Sequence, residues 1–372
     1  MRLWLLCAGV ACAVPVAPIA RAADVPEAVT AIDPGMMLVR SAEASRTRNY
    51  QGVVIYRGDE RFEVLRVQHR YKDDSERERL VSLTGEPRQL LRIDNRLICI
   101  LPKGRSMSID RPNLKGFLAQ LTAERVEQLK AYYQFRSEGV GRIAGRICNG
   151  VSVRPKDKYR YGYEVWTDQE TNLPLKISLT GPESEVLEQV MFTEVAFPKT
   201  IADEAFETEV DIRKFNLITR NLPKLDDVPT PDQHGEPQVA FGKLPPGFKI
   251  VSHDDRALPD GSGNVEHLLL SDGLSSVSVF STVQSREEKV LKGVSHMGAV
   301  QAYGKVVGSF HVTIVGEVPG AAIKMIGDNL RVPLPGPVQD PGVVQPFDRP
   351  LTQTIISPQA PAQTPAPVAP PR

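Results

Sequence analysis

The residue types that most often do chemistry are sparse here and badly spaced for it. The six histidines are scattered singly, so metal-ligand spacing is missing. His267 and Asp272 would need a serine brought to them by the fold to make a hydrolytic relay, and such a pairing is generic. His69 lies between Arg66 and Arg70 in a strand-like run, which suits a structural or surface histidine better than a base. There is no HExxH, no GxSxG, no P-loop and no GxGxxG followed by a helix. Cys7 and Cys12 fall in the N-terminal leader described below, which leaves Cys99 and Cys148 in the runs LICILP and RICNGVSV. In an oxidising compartment these two either bridge or stay as buried thiols, and neither spacing nor composition decides. They flank a helical insertion, so their strands could be neighbours in a sheet. No histidine lies near either one to suggest a catalytic pair. The residues therefore point away from an enzyme, with no cofactor implied, and toward binding.

The stretch that organises the chain is Tyr159 to Leu179, YRYGYEVWTDQETNLPLKISL. Side chains alternate along a strand, so Tyr159, Tyr161, Tyr163 and Val165 share one face, and Arg160, Glu164 and Trp166 the other. Polar turn formers follow from Thr167 to Asn172, and Pro174 opens a return strand in which Leu175, Ile177 and Leu179 alternate with Lys176 and Ser178. A lone hairpin cannot bury such an apolar face, which predicts a larger antiparallel sheet with something packed over it.

The chain on either side supplies that sheet. Asp33-Pro34 predicts a helix start, with Met37, Leu38, Ser41, Ala42 and Ser45 as its stripe. A meander follows: Val53 and Ile55 before Arg57-Gly58-Asp59, then Phe62 to His69, Glu76 to Leu83, and a hairpin from Gln89 to Leu101 around Asp94-Asn95. Asn113 to Phe135 reads as helical, with apolar residues three and four apart. Strands resume over Gly145 to Arg154 and Val186 to Phe197. The Pro-rich run after Asn221 reads as a linker, 222–240. A smaller strand-rich domain with one short helix spans 241–333, including a hairpin around Ser271-Asp272-Gly273. The Pro, Ala and Gln-rich tail over 334–372 cannot bury a core. The fold class is α+β: a large domain over 23–221 with a curved antiparallel sheet covered by helices, then a smaller antiparallel β domain with a helix.

Residues 1–22 carry Arg2, an apolar run and Ala20-Arg21-Ala22, which together fit a secretory signal peptide cut after Ala22. Pro15 and Pro18 interrupt the apolar run, and it is shorter than the roughly 20 residues a span needs. The expected product is an exported, soluble protein. Lys and Arg total 45, as do Asp and Glu. That balance argues against a nucleic-acid partner, which calls for a basic face.

The sheet's apolar face either is filled by its helices or leaves room for a lipid. By alternation, Val53, Ile55, Leu65, Val67, Tyr161, Tyr163, Val165 and Ile177 are the expected cavity residues. Tyr50-Gln51-Gly52, the RGD turn, His69, ERERL at Glu76 to Leu80, SLTGEPRQLLR at Ser82 to Arg92, CILP at Cys99 to Pro102, YYQF at Tyr132 to Phe135 and VWTDQETNLPLK resemble the MucB/RseB family. So do LPPGF, SDGLSSVSVF and VGEVP in the second domain. The resemblance covers most of the chain beyond the leader, in order, and leaves out the tail.

It implies a periplasmic negative regulator of envelope-stress signalling. Such proteins bind the periplasmic part of an RseA/MucA-type anti-sigma factor and shield it from proteolysis, which keeps the sigma factor sequestered. The large domain would have the half-open barrel of lipoprotein carriers and sense lipid, including lipopolysaccharide, which releases the regulator. The smaller domain would supply much of the anti-sigma contact, with Ser271, Asp272, Gly273, Leu274, Glu317 and Pro319 as candidates. Three readings compete: binding regulator, periplasmic lipid or lipoprotein carrier, and hydrolase. The second domain favours the first, since a carrier needs only the large one. Homo-oligomer formation stays open.

Overall fold

The computed structural model describes residues 33–58, 61–94, 96–100, 106–109, 118, 121–208, 237–257, 263–283 and 292–333. The expected signal peptide, Asp59 of the RGD turn, nearly all of the linker and the tail lie outside the described residues. Helix α1 (Pro34–Thr47) starts as expected: the Asp33 carboxylate accepts from the Gly35 N–H at 2.7 Å and the Met36 N–H at 3.2 Å, and Pro34 sits where its missing N–H does no harm. Its stripe of Leu38, Ser41, Ala42 and Ser45 is buried.

Six strands follow as a meander: β1 (Tyr50–Gly58), β2 (Arg61–Lys72), β3 (Ser75–Ser82), β4 (Gln89–Ile93), β5 (Arg96–Ile100) and β6 (Ser106–Ile109). After helix α2 (Ala123–Leu129) come β7 (Tyr133–Ile143), β8 (Arg146–Pro155), β9 (Gly162–Asp168), β10 (Pro174–Thr180) and β11 (Val186–Ala196). All eleven form one sheet in the order β6-β5-β4-β3-β2-β1-β11-β10-β9-β8-β7. The first and last strands are thus partners near its middle. The sheet curls: Ile143 and Ala144 at the end of β7 pack against the same buried cluster, around Cys148 and Phe192, as Val195 and Phe197 at the end of β11. Helices α1 and α2 lie on the concave face over Val151, Val153 and Val165.

The helix expected over 113–135 is shorter in its described part. Thr122 caps it, accepting from the Arg125 N–H at 3.1 Å, and it ends at Leu129. Leu118, Leu121, Val126 and Leu129 do share one core cluster, which accounts for the helical spacing. Tyr133 onward is strand instead, because YYQF is rich in aromatic strand formers and pairs with Val153 to Pro155. Gly139 and Gly141 lie inside β7, where Gly139 has a φ of 81° beside a register shift. The cysteines are not neighbours. Cys99 is on β5 and Cys148 on β8, with seven strands between them in the sheet order, and both are free thiols. Their flanking position predicted adjacency only because the return of the chain was expected next to its exit; the chain instead resumes at the opposite edge.

One close packing on the convex face is testable. The Trp166 ring lies across Gly141 and Gly150, and a Cβ on Gly150 would stand 3.0 Å from ring carbons. The indole N–H donates to Glu164 Oε1 at 2.6 Å, which fixes the ring. Gly150→Ala is expected to destabilise by about 1–3 kcal/mol through overpacking. Urea unfolding measures it, and an unchanged midpoint would mean the ring is free to move.

The second sheet contains β13 (Lys249–Ala257), β14 (Asn264–Ser271), β15 (Ser276–Val283), β16 (Gly293–Met297), β17 (Val300–Val307) and β18 (Phe310–Gly316), ordered β13-β14-β15-β18-β17-β16. Short strands β12 (Ala240–Phe241) and β19 (Leu330–Arg331) pair beside it. Helix α3 (Gly320–Asp328) covers one face, where Ala322, Ile323 and Ile326 meet Leu268, Leu270, Val279 and Ile314, all fully buried. The hairpin around Ser271-Asp272-Gly273 forms with Gly273 at a φ of 97°, a conformation glycine adopts without a Cβ clash. Among the described residues no helix is long and apolar enough to cross a membrane.

Candidate functional site

The concave face is only partly filled. A cavity of about 670 Å³ remains between the sheet, the helices and the second domain. Tyr50, Val54 and Tyr56 of β1, Leu65 and Val67 of β2 and Leu80 of β3 form one wall. Leu175, Ile177, Leu179, Val190 and Phe192 of β10 and β11 form the other, with Tyr163 from β9. Ser45 of α1 and Leu118 face them. The second domain contributes Leu274, Ser275, Ser276 and Glu317.

Of the expected cavity residues, Leu65, Val67, Tyr163 and Ile177 line it. Val53 and Ile55 do not; Val54 and Tyr56 take their place. Val53, Val54, Ile55 and Tyr56 are consecutively apolar, so alternation cannot choose their face. Pairing chooses it: Val54 lies opposite Leu65, and Val53 opposite Arg66. A bulge adds to the offset, since Val53 faces Glu194 while Val54 faces Phe192, leaving Thr193 extra on β11. Val165 points inward but is wholly buried in the core around Leu38 and Ala42. Tyr161 precedes β9 and packs with Leu179 and Ala299. The reading missed Tyr50, Leu80 and Phe192, which lie on expected strands but are not singled out by a polar alternation, and Leu175, which shares the alternating face of Ile177.

The partner candidates fall at a junction between the two sheets. The Asp272 and Arg160 side chains are both fully buried and meet at 2.6 Å. Asp272 Oδ2 also accepts from the Tyr133 hydroxyl at 3.0 Å, while its Oδ1 accepts from the N–H groups of Leu274 at 2.8 Å and Ser275 at 2.7 Å. Arg160 donates to Asp157 and to the Pro246 carbonyl, and its guanidinium lies 4.9 Å from the Tyr132 ring centroid and 5.5 Å from that of Phe248. Arg125 Nη1 donates to the Gly273 carbonyl at 3.3 Å. The Ser271 hydroxyl donates within its own loop, to the Ser275 carbonyl. Core residues are exchanged as well: Leu274 packs into the cluster of the large domain, and Tyr159 into that of the small one. The YYQF, LPPGF and SDGL segments thus converge here. Arg160 was expected on the hairpin's charged outer face. It is buried because β9 begins only at Gly162, and because three aromatic rings and two carboxylates surround the cation. An arginine between two tyrosines was the sequence sign of it.

Pro319 caps α3 from its N-terminal side, next to Glu317 at the cavity. The Glu317 carboxyl is pushed up to about 7 by burial among protein atoms and by the Glu188 carboxylate, which also lines the cavity. Glu317 keeps exposed surface, so solvent screens part of this. Between its ordinary value near 4.5 and about 7 the native state binds more protons than the unfolded chain, so stability falls as pH rises through that window. Glu317→Gln removes the effect. Its melting temperature is expected to exceed that of the natural chain at about pH 8, with the gap closing toward about pH 5. A gap independent of pH would mean Glu317 titrates normally. Tyr163 and Tyr50 are both held well above the usual phenol range by burial, so both face the cavity uncharged. No group of three or more His, Cys, Asp or Glu among the described residues is arranged to hold a metal ion.

The chain matches the family models of the MucB/RseB N-terminal domain over residues 33–210 and the MucB/RseB C-terminal domain over 233–331. It is 30% identical over 314 residues to the sigma factor AlgU regulatory protein MucB of Pseudomonas aeruginosa, covering 82% of this chain and 92% of that one. It is 29% identical over 300 residues to the sigma-E factor regulatory protein RseB of Escherichia coli, covering 80% and 90%. Among solved structures, MucB in complex with MucA(peri) superimposes with a TM-score of 0.62 at 27% identity, over 81% of this chain and 100% of that one. The Pseudomonas aeruginosa MucA/MucB complex gives the same score at 26% identity, over 81% and 99%. With both domain models matched in order and relatives aligned over nearly their whole length, the chain belongs to the MucB/RseB family.

Proposed function

We propose that this chain is a periplasmic regulator of an extracytoplasmic-stress sigma factor. In this reading it binds the periplasmic part of a MucA/RseA-type anti-sigma factor, shields it from proteolysis and lets go when a lipid enters the cavity. Support for the partner comes from the relatives named as sigma-factor regulators and from the likeness to MucB solved with MucA. Support for lipid control comes from one observation: the apolar cavity is walled by both domains, so its occupant touches Leu274, Ser275 and Glu317 of the second domain directly. A carrier would have no need of that wall. The Ser271 to Leu274 loop and the Glu317 to Pro319 segment then link cavity to partner surface from within the junction. Coupling of this kind is reciprocal: a lipid that weakens partner binding by some factor is itself weakened by the partner by the same factor.

The test is the affinity of the chain for an immobilised periplasmic segment of the anti-sigma factor, with and without lipopolysaccharide, alongside the segment's rate of cleavage. Lipid should lower the affinity and restore cleavage. Unchanged affinity would leave a shield without a sensor, and no binding at all would remove the regulator reading.

A further inference from the structure

Across the concave face the strands set up rows of partnered residues. One row is polar and buried: Tyr50 on β1, His69 on β2, Glu78 on β3 and Arg92 on β4 are successive cross-strand partners. The next, Gly52, Val67, Leu80 and Leu90, is apolar, and its Val67, Leu80 and Leu90 line the cavity. Glu188, opposite Gly58, marks the other end of β1. Eight residues of strand separate the two ends, about 26 Å at the usual rise.

The polar row is unfinished. Glu78 is 6% exposed and Arg92 3% exposed. Arg92 Nε and Glu78 Oε2 stand 3.5 Å apart without a proper hydrogen bond. Among the described residues Glu78 Oε2, Arg92 Nε and Arg92 Nη2 have no hydrogen-bond partner, and Glu78 lines the cavity. Buried donors and acceptors left unmade are expensive, so such a set is a place for a guest. Glu78 presents its carboxylate acceptor at the cavity wall, and Arg92, its cross-strand partner outside the lining, holds the two N–H donors, with no net charge between them. A hydroxyl has the matching complement, one donor and two acceptor lone pairs. A phosphate accepts only, and Glu78 would repel it.

Taking as given the lipid cavity proposed above, we infer that it binds a hydroxyl-bearing amphiphile, with the hydroxyl held at the Glu78–Arg92 end and the chain running along β1 toward Glu188. Equilibrium dialysis with 1-decanol, decyl methyl ether and decyl phosphate tests this. The natural chain should bind 1-decanol about tenfold or more tighter than the ether, because the ether oxygen can accept from Arg92 but has no proton to give the buried Glu78 carboxylate. The double variant Glu78→Leu with Arg92→Met removes both partners together, the substitution a buried pair tolerates best. It should bind alcohol and ether alike while keeping the ether's affinity. Glu78→Gln, which keeps the side chain's shape, leaves the cation alone and should reverse the order toward decyl phosphate. Equal binding of alcohol and ether by the natural chain would remove the anchor and leave the cavity standing. Discrimination that survives the double variant, no reversal in Glu78→Gln, or decyl phosphate binding tightest to the natural chain would each overturn the assignment. Failure of all three probes to bind would remove the lipid cavity itself.

Discussion

Replacing Arg160 by methionine is expected to lower the unfolding free energy by about 3–5 kcal/mol, since it leaves the Asp272 carboxylate buried without its cation. The size of the effect follows from the junction's construction. Arg160 is wholly buried, and it is at once the cation of Asp157 and Asp272, a donor to the Pro246 carbonyl and the centre of three aromatic rings. Asp272 still accepts from Tyr133, Leu274 and Ser275, but a charge in that setting needs more than neutral donors. Because both sheets meet there, the loss should appear as an early transition in urea as well as a lower midpoint. Arg160→Met combined with Asp272→Leu should recover part of the loss, since removing both members of a buried pair is far milder than removing one. A single variant that unfolds like the natural chain would mean the two domains are held by something other than this pair.

Ile177→Glu is expected to abolish lipid-triggered release while leaving the basal complex with the anti-sigma segment intact. Ile177 lines the cavity opposite Val190 and Val165 and is only half-buried, so a carboxylate there remains hydrated and the fold survives. The cavity's attraction for an acyl chain does not survive. Burial is worth roughly 0.8 kcal/mol per CH₂ group, so a chain of about ten carbons gains about 8 kcal/mol before ordering costs. A charge midway along the wall would have to lose its water as the chain enters, which consumes much of that gain. Comparing anti-sigma affinity with and without lipopolysaccharide, for the natural chain and for Ile177→Glu, gives the answer. Release that persists fully in the variant would locate the lipid elsewhere.

What was legible in the sequence was what local pattern determines. Asp33-Pro34 predicts the start of α1, the SDG turn predicts the β14–β15 hairpin, and Leu175, Ile177 and Leu179 alternate as β10 does. What was not legible depended on partners distant in the chain. Val54 rather than Val53 faces the cavity because β2 and a bulge in β11 say so, and four consecutive apolar residues carry no record of it. Arg160 looked like a solvated strand residue until Asp272, more than a hundred positions away, supplied its counter-charge. The cysteines' separation depends on which sheet edge the chain returns to, a choice made by topology alone.

The pairing of β1 with β11 has a kinetic consequence. The β1–β6 meander and the β7–β11 meander are each built from neighbours in sequence, but the seam between them joins residues 140 apart, as between Val53 and Thr193. Closing so long a loop must precede the contacts that reward it, so the two half-sheets are expected to form first, with their joining as the slow step. A chain emerging from its N-terminus cannot complete the seam until Ala196 has emerged. Val54 and Tyr56 line the cavity from one side of that seam, and Val190 and Phe192 from the other. Half-made chains therefore lack the cavity altogether, and it is complete only when the second domain's Leu274 and Glu317 have joined the finished sheet.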